Sequence, residues 1–244
     1  MSEKKSKQYV FNFQQFAITH CDSAMKVGTD GVLLGAWTPI KKSKKILDVG
    51  CGSGLIALML AQRCDSDIIG IEINELAAQE AILNSKNSPW SDKISIINGD
   101  ITLAEFQDTL PQPDLIVSNP PFFTEDLKSP EIARSVARHE SALGVRTLIE
   151  IAAKILSTDG RLCFISPTDR ADEIEFTATI SKMNISKRMD IRTTTTKKPV
   201  RTLWELSKKS TDDFTYEIQS LRDDSGKYSE WYCSLTKDYY THLK

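Results

Sequence analysis

Asn119, Pro120, Pro121 and Phe122 are the residues of this chain whose types and spacing point most directly to chemistry. They follow Asp114-Leu115-Ile116-Val117-Ser118, a short apolar run with β-branched residues that predicts a buried strand. The two prolines fix the backbone and remove two N–H donors. Their carbonyls and that of Asn119 stay available as acceptors, and the Asn119 side chain adds another. Phe122 and Phe123 set flat faces beside them. Acceptors converging next to an aromatic plane can hold a planar amino group and stack the ring that carries it. Such a nitrogen, in adenine for instance, is a poor nucleophile because its lone pair is delocalised into the ring. Acceptors on both N–H hydrogens favour a more tetrahedral nitrogen and stabilise the positive charge that develops as it attacks. The tetrapeptide also fits a plainer role, a Pro-Pro turn closing a strand with both phenylalanines in the core, so its context has to decide.

The elements that would position these residues alternate between strand and helix. Lys45 to Val49 predicts a strand, followed by Gly50-Cys51-Gly52-Ser53-Gly54 and an apolar helix from Leu55 to Ala61. Asp67 to Ile73 predicts a second strand, after which Asn74 would cap a helix through Glu75, Ala78 and Ile82. Ile94 to Ile97 is a third strand, ending at Asn98-Gly99-Asp100, and Asp114 to Ser118 the fourth. Beyond them come a helix over Thr147 to Leu156, a strand over Arg161 to Ile165 and a helix over Glu173 to Met183. Ile185 to Arg192 and Val200 to Leu206 predict two last strands joined through Lys197-Lys198-Pro199. Phe214 to Leu221 alternates as a possible edge strand, and Ser229 to Tyr240 reads as a terminal helix. Near the start, Val10 to Ile18 predicts two short strands or a hairpin packed on the main body. The loop Lys26-Val27-Gly28-Thr29-Asp30-Gly31 precedes a helix through Val32, Leu33 and Trp37, with Thr29 or Asp30 as its cap. That loop fits a cover over a ligand and a plain helix cap equally well. The order predicts an α/β fold: a doubly wound, mainly parallel, seven-stranded sheet with helices on both faces and a C-terminal antiparallel hairpin.

Ligands of such sheets sit outside the carboxyl ends of the strands, so the polar residues after Val49, Ile71, Ile97 and Val117 should share one crevice. Gly50, Gly52 and Gly54 permit a tight turn with close approach of backbone to ligand, and the following helix presents its N-terminus to a carboxylate or phosphate. Glu72 is placed to accept from ribose hydroxyls and Asp100 from an adenine amino group. Asp48 would order the turn or meet an ammonium group. Lys26, Gly28, Thr29 and Asn119 complete the candidate cofactor residues. Together they describe a pocket for an adenosine carrying an amino-acid tail. A nicotinamide dinucleotide is the rival, because Gly52-Ser53-Gly54-Leu55-Ile56-Ala57 fits G-x-G-x-x-A with Glu72 at a plausible distance. Against it, the strand ends before Gly50, and Asp100 and Asn119 to Phe122 would be left without a task.

Composition sets outer bounds. With 244 residues, 40% hydrophobic and 26% charged, the chain can bury one sizeable core. We expect a disordered stretch over 1–8 and a single domain over 9–244 with small additions at both ends. No apolar run is long enough to span a bilayer, and Met1 to Gln8 lacks the apolar centre of a signal peptide, which predicts a cytoplasmic protein. Five cysteines without a Cys-x-x-Cys pair and three scattered histidines predict neither a disulfide framework nor a metal site. The net charge is −2, yet Lys182 to Lys209 holds nine basic and two acidic residues, a local +7 that leaves −9 elsewhere. This suits a phosphate-binding surface, or an ordinary solvated hairpin.

Asp48-Val49-Gly50-Cys51-Gly52-Ser53-Gly54 resembles the glycine-rich motif of class I S-adenosylmethionine-dependent methyltransferases, Glu72 their ribose acid and Asp100 their adenine-side acid. Asn119-Pro120-Pro121-Phe122 resembles the catalytic motif of those that methylate amino or amide nitrogens. From about Phe11 onward the chain is similar to the bacterial tRNA(Val) adenine-37 N6-methyltransferase family. The similarity runs through Met25-Lys26-Val27-Gly28-Thr29-Asp30-Gly31-Val32-Leu33-Leu34-Gly35-Ala36-Trp37, Asn119 to Phe123 and Ala137-Arg138-His139-Glu140. It implies a Rossmann-like methyltransferase fold and S-adenosylmethionine as methyl donor, leaving S-adenosylhomocysteine, with no metal. It implies N6-methylation of the adenine 3′ of the anticodon in a valine tRNA; we expect a monomer that binds neither DNA nor membrane. Related motifs occur in enzymes acting on rRNA guanine N2, DNA adenine N6 or a protein glutamine, and these stay open, as does a non-catalytic RNA-binding module. An intact Asn-Pro-Pro-Phe beside an intact glycine loop argues against the last. The RNA-binding candidates are Arg192, Lys197, Lys198 and Arg201, the last three expected to project from a hairpin turn remote from the cofactor. Arg134, Arg138 and His139 follow the catalytic loop and either meet the RNA backbone or brace that loop.

Overall fold

Strands covered on both faces send alternate side chains into two separate cores. In the computed structural model, which describes residues 9–21, 26–121, 143–210 and 213–242, Ile46, Leu115, Val117, Cys163 and Ile165 enter one core, and Leu47, Val49, Ile116, Leu162 and Phe164 the other. The strands are β1 (Tyr9–Asn12), β2 (Ala17–His20), β3 (Lys45–Val49), β4 (Asp67–Glu72), β5 (Ile94–Asn98), β6 (Leu115–Ser118), β7 (Arg161–Pro167), β8 (Asn184–Thr194), β9 (Pro199–Ser207) and β10 (Thr215–Arg222). The helices are α1 (Thr29–Trp37), α2 (Leu55–Ala61), α3 (Glu75–Lys86), α4 (Ala104–Gln107), α5 (Val145–Ile155), α6 (Ala171–Ile180) and α7 (Glu230–Thr236). Helices α1 and α2 and the β1–β2 hairpin cover the first core; α5 and α6 cover the second. No helix among the described residues is long and apolar enough to cross a membrane. Residues 1–8, Phe122, Arg134, Arg138 and His139 lie outside the described residues.

The main sheet has the order β10-β8-β9-β7-β6-β3-β4-β5. Every neighbour pair is parallel except those of β9, which runs antiparallel to both β7 and β8. The chain leaves β3 toward β4 on one side and returns to β6 on the other, so a crevice opens beyond the carboxyl ends of β3 and β6. Registers of Asp48 with Val117 and Gly70, and of Glu72 with Asn98, bring Val49, Glu72, Asn98 and Ser118 to that one edge.

The sheet has eight strands instead of seven, because β10 pairs in parallel beside β8 and completes the edge that its alternation suggested. Asn74 caps α3 as predicted, its side chain accepting from Ala77 N at 3.1 Å. The cap of α1 is different: Gly28 occupies it in extended conformation with no side-chain cap bond. Thr29 and Asp30 fall inside the first turn, and the carboxylate of Asp30 is engaged elsewhere.

Candidate functional site

After β3 the chain must reverse into α2 within the five residues 50–54. Gly50 (φ 70°) and Gly54 (φ 84°) do so in the left-handed region, where a side chain would be strained. Gly50 N and Cys51 N both donate to Ile71 O, at 2.8 and 3.0 Å, so the loop lies against the end of β4. Glu72 completes the attachment: Oε2 accepts from Gly52 N at 2.8 Å and Oε1 from Asn74 N at 2.9 Å. One carboxylate thus sets both the glycine loop and the turn into α3.

Asp48 is fully buried beneath this loop. Its Oδ2 accepts from Ala57 N at 3.0 Å, fixing the first turn of α2, and Oδ1 has no partner among the described residues. Burial pushes the carboxyl from its ordinary 3.8 up to about 7, the Ala57 amide opposing and the charge of Glu72 adding to the rise. The Cys51 thiol is likewise pushed well up, by burial and then by Asp48 and Glu72, so it stays protonated and is no nucleophile. As pH rises from about 4 to about 7, the folded chain gives up an Asp48 proton that the unfolded chain has already lost, so ligand-free stability falls over that window. Asp48→Asn keeps an acceptor for Ala57 N and removes this slope. Thermal unfolding at pH 5 and pH 8 should show the variant gaining on wild type at the higher pH; an equal gap at both would exclude a raised Asp48.

At the end of β6, the buried Ser118 hydroxyl donates to Val49 O at 2.7 Å and pins the two central strand ends together. Asn119 comes next, and its Oδ1 is buried with no hydrogen-bond partner among the described residues. A buried orphan acceptor costs about 1–3 kcal/mol, which a ligand donor would recover. A cavity of about 580 Å³ opens here, walled by Lys26–Gly31, by Gly50–Ser53 with Leu55 and Ile56, by Asn119–Pro121 and by Arg201. Its size suits a small-molecule site.

Of the cofactor candidates, Lys26, Gly28, Thr29, Gly50, Gly52 and Asn119 face this cavity directly. Asp48, Gly54 and Glu72 lie behind the loop and shape it. Asp100 sits at the predicted strand end, where its Oδ1 closes its own turn by accepting from Thr102 N and Oγ1 at 2.9 and 2.7 Å.

The hairpin turn of β8 and β9 is not remote from the cavity. Because β9 is antiparallel to β7, its first residues lie at the carboxyl edge, with Arg201 opposite Pro167. Arg201 does not project: Nε donates to Asp30 Oδ2 at 2.8 Å and the residue walls the cavity. Following strand direction outward from β7 was the signal that would have placed it. Arg192 is also engaged, donating from Nε to Ser220 Oγ at 2.8 Å. Lys197 and Lys198 are exposed at the turn. Among the described residues no group of three or more His, Cys, Asp or Glu side chains could hold a metal ion. The site offers a glycine-rich cradle and, at its edge, an amide acceptor with no partner among the described residues.

Residues 16–189 match the model of the methyltransferase small domain. The chain is 38% identical over 243 residues to the tRNA1(Val) (adenine(37)-N6)-methyltransferase of Bacteroides fragilis, covering 97% of this chain and 99% of that one. It is 40% identical over 233 residues to the protein of the same name from Yersinia enterocolitica, covering 94% and 92%. Among solved structures, a protein of Agrobacterium tumefaciens described as a predicted O-methyltransferase superposes with a TM-score of 0.69 at 20% identity, over 88% of this chain and 99% of that one. That likeness shows that the two chains share an overall fold.

Proposed function

The chain belongs to the tRNA1(Val) (adenine(37)-N6)-methyltransferase family, and we propose from this premise that it transfers the methyl group of S-adenosylmethionine to N6 of adenine 37, beside the anticodon of a valine tRNA. The observation that carries the reading is Asn119 Oδ1, a buried acceptor at the edge of the cavity with no partner among the described residues. The cavity fits the donor: Gly50 and Gly52 in its wall are left-handed and let backbone approach a ligand closely, and Asn119 Oδ1 at its edge is an acceptor without a partner among the described residues. When bound, S-adenosylmethionine supplies a methyl group already activated on a sulfonium. The chain's own residues then position and polarise. Gly50, Gly52, Lys26, Gly28 and Thr29 form the cradle. Glu72 fixes the loop and keeps lone pairs for ribose hydroxyls, and Asp100 is assigned the adenine amino group of the donor. Asn119 Oδ1 and the Pro120 carbonyl accept from the target amino group, and Phe122 stacks on the base. The reading takes 9–244 as one domain, acting as a monomer without a metal.

Purified protein given S-adenosylmethionine with a labelled methyl group, and bulk tRNA, rRNA, DNA or protein in turn, should label tRNA alone. Nuclease digestion should return the label as N6-methyladenosine from position 37. Label in any other polymer overturns the substrate assignment.

An adenine in an anticodon loop is unpaired but stacked, and swinging it out costs a few kcal/mol that contacts elsewhere must offset. Lys197 and Lys198 at the exposed turn are proposed to meet RNA phosphates, with Arg134, Arg138 and His139 nearer the base. Replacing Lys197 and Lys198 with alanine should flatten the slope of log affinity against log salt by roughly 1 to 2, with the KM for S-adenosylmethionine unchanged. Arg201 is left intact in this test because it walls the cavity. Anisotropy with labelled tRNA reads the slope; an unaltered one moves the RNA to another face.

A further inference from the structure

Strand β2 is paired on one side by β1 and on the other by a single side chain. Thr19 N donates to Asn84 Oδ1, and Asn84 Nδ2 donates to Thr19 O, both at 2.9 Å. The amide does for β2 what the peptide of a third strand would do. Its second Nδ2 hydrogen goes to Ser53 O, also at 2.9 Å, inside the glycine loop that walls the cavity. Asn84 is 2% exposed. Only one orientation of the amide satisfies all three contacts, because a flip would set NH2 against the Thr19 N–H and oxygen against two carbonyls. A neighbouring contact strengthens the attachment: Cys21 N donates to Glu80 Oε1 at 3.0 Å on the same helix. At the same open end of the hairpin, Tyr9 pairs with His20 across the strands and sets its ring 4.6 Å from Nζ of Lys26, another residue of the cavity wall. The hairpin therefore meets the Lys26 loop through Tyr9 and the glycine loop through Asn84.

We propose that the β1–β2 hairpin is a working part of the cofactor site and that Asn84 is the positioning residue coupling it to the glycine loop. This rests on the cavity being the cofactor cavity. Coupling is reciprocal: whatever orders the Ser53 loop must also order Thr19, by the same free energy. Two variants separate this from a role in stability alone. Asn84→Ala removes all three bonds. Asn84→Asp keeps the acceptor for Thr19 N but turns oxygen on the Thr19 and Ser53 carbonyls.

In wild-type protein, saturating S-adenosylhomocysteine should slow hydrogen exchange at the Thr19 amide several-fold. In both variants that response should vanish and calorimetric affinity for S-adenosylhomocysteine should fall about tenfold. The KM for S-adenosylmethionine should rise with kcat little changed. Tyr9→Ala, which leaves Asn84 intact, should weaken binding several-fold and supplies the same readout should Asn84→Ala fail to fold. Exchange at Thr19 that ignores the ligand in wild type overturns the proposal. So does an Asn84 variant, or Tyr9→Ala, with wild-type affinity. Wild-type protein that binds no S-adenosylhomocysteine at all would overturn the cofactor reading along with it.

Discussion

Replacing Asn119 with alanine is expected to lower turnover by about 10²–10³-fold, the effect of removing one preorganised polar group from a site of developing charge. Asn119 follows a strand end pinned through Ser118 to Val49, so its side chain is held by the two central strands and not by a free loop. Its Oδ1 has no partner among the described residues. Removing it leaves no buried donor stranded, so the loss should appear in kcat with little loss of fold. The glycine loop and the Glu72 contacts stay in place, so affinity for S-adenosylhomocysteine should remain within a few-fold of wild type. Asn119→Asp, which retains an acceptor, should keep more activity than the alanine variant. Single-turnover methyl transfer gives the rate and calorimetry the affinity. Wild-type turnover in Asn119→Ala would end its assignment as the acceptor for the target nitrogen.

Glu72→Ala is expected to weaken cofactor binding by roughly 10- to 100-fold. Two backbone amides, Gly52 N and Asn74 N, lose their acceptor at once; Asn74 is exposed and can turn to water, so the half-buried Gly52 amide carries most of a cost of about 1–3 kcal/mol. The loss falls where the cavity wall depends on it, because Gly52 is part of that wall. Glu72→Gln keeps one acceptor but turns a donor toward the other amide, so it should fall between the two. Asp100→Ala should cost less, since Asp100 chiefly closes its own turn with Thr102. Calorimetry with S-adenosylhomocysteine separates the three variants. Unchanged affinity in Glu72→Ala would remove it from the site and reopen the dinucleotide reading.

What could be read in the sequence was whatever depends on neighbours along the chain. The strand preceding each polar turn, the helix cap at Asn74 and the glycine reversal after Val49 are local patterns, and each stands where periodicity and turn chemistry put it. The convergence of the strand ends at Val49, Glu72, Asn98 and Ser118 on one edge followed from the handedness and parallel order of the sheet. What could not be read were roles set by distant partners. Glu72 looked like a ligand for ribose, and its visible task is to fasten the glycine loop. Asn84 gave no signal, since its significance lies in bonds to Thr19 and Ser53. Arg201 was misplaced because a charged residue beside a turn ordinarily points to solvent, whereas the reversal of β9 brings it back over the cavity.

The bond from Arg201 to Asp30 joins residues 171 positions apart. It ties the first turn of α1, part of the cavity wall, to a strand that begins beside the exposed Lys197 and Lys198. In the terms of sequence drift, these two positions form one heritable unit. A change at residue 30 alone takes one carboxylate from Arg201, and a change at residue 201 alone takes this guanidinium from Asp30 at the cavity wall. Both steps loosen the same tie, so lineages should tend to keep the pair or exchange both members together.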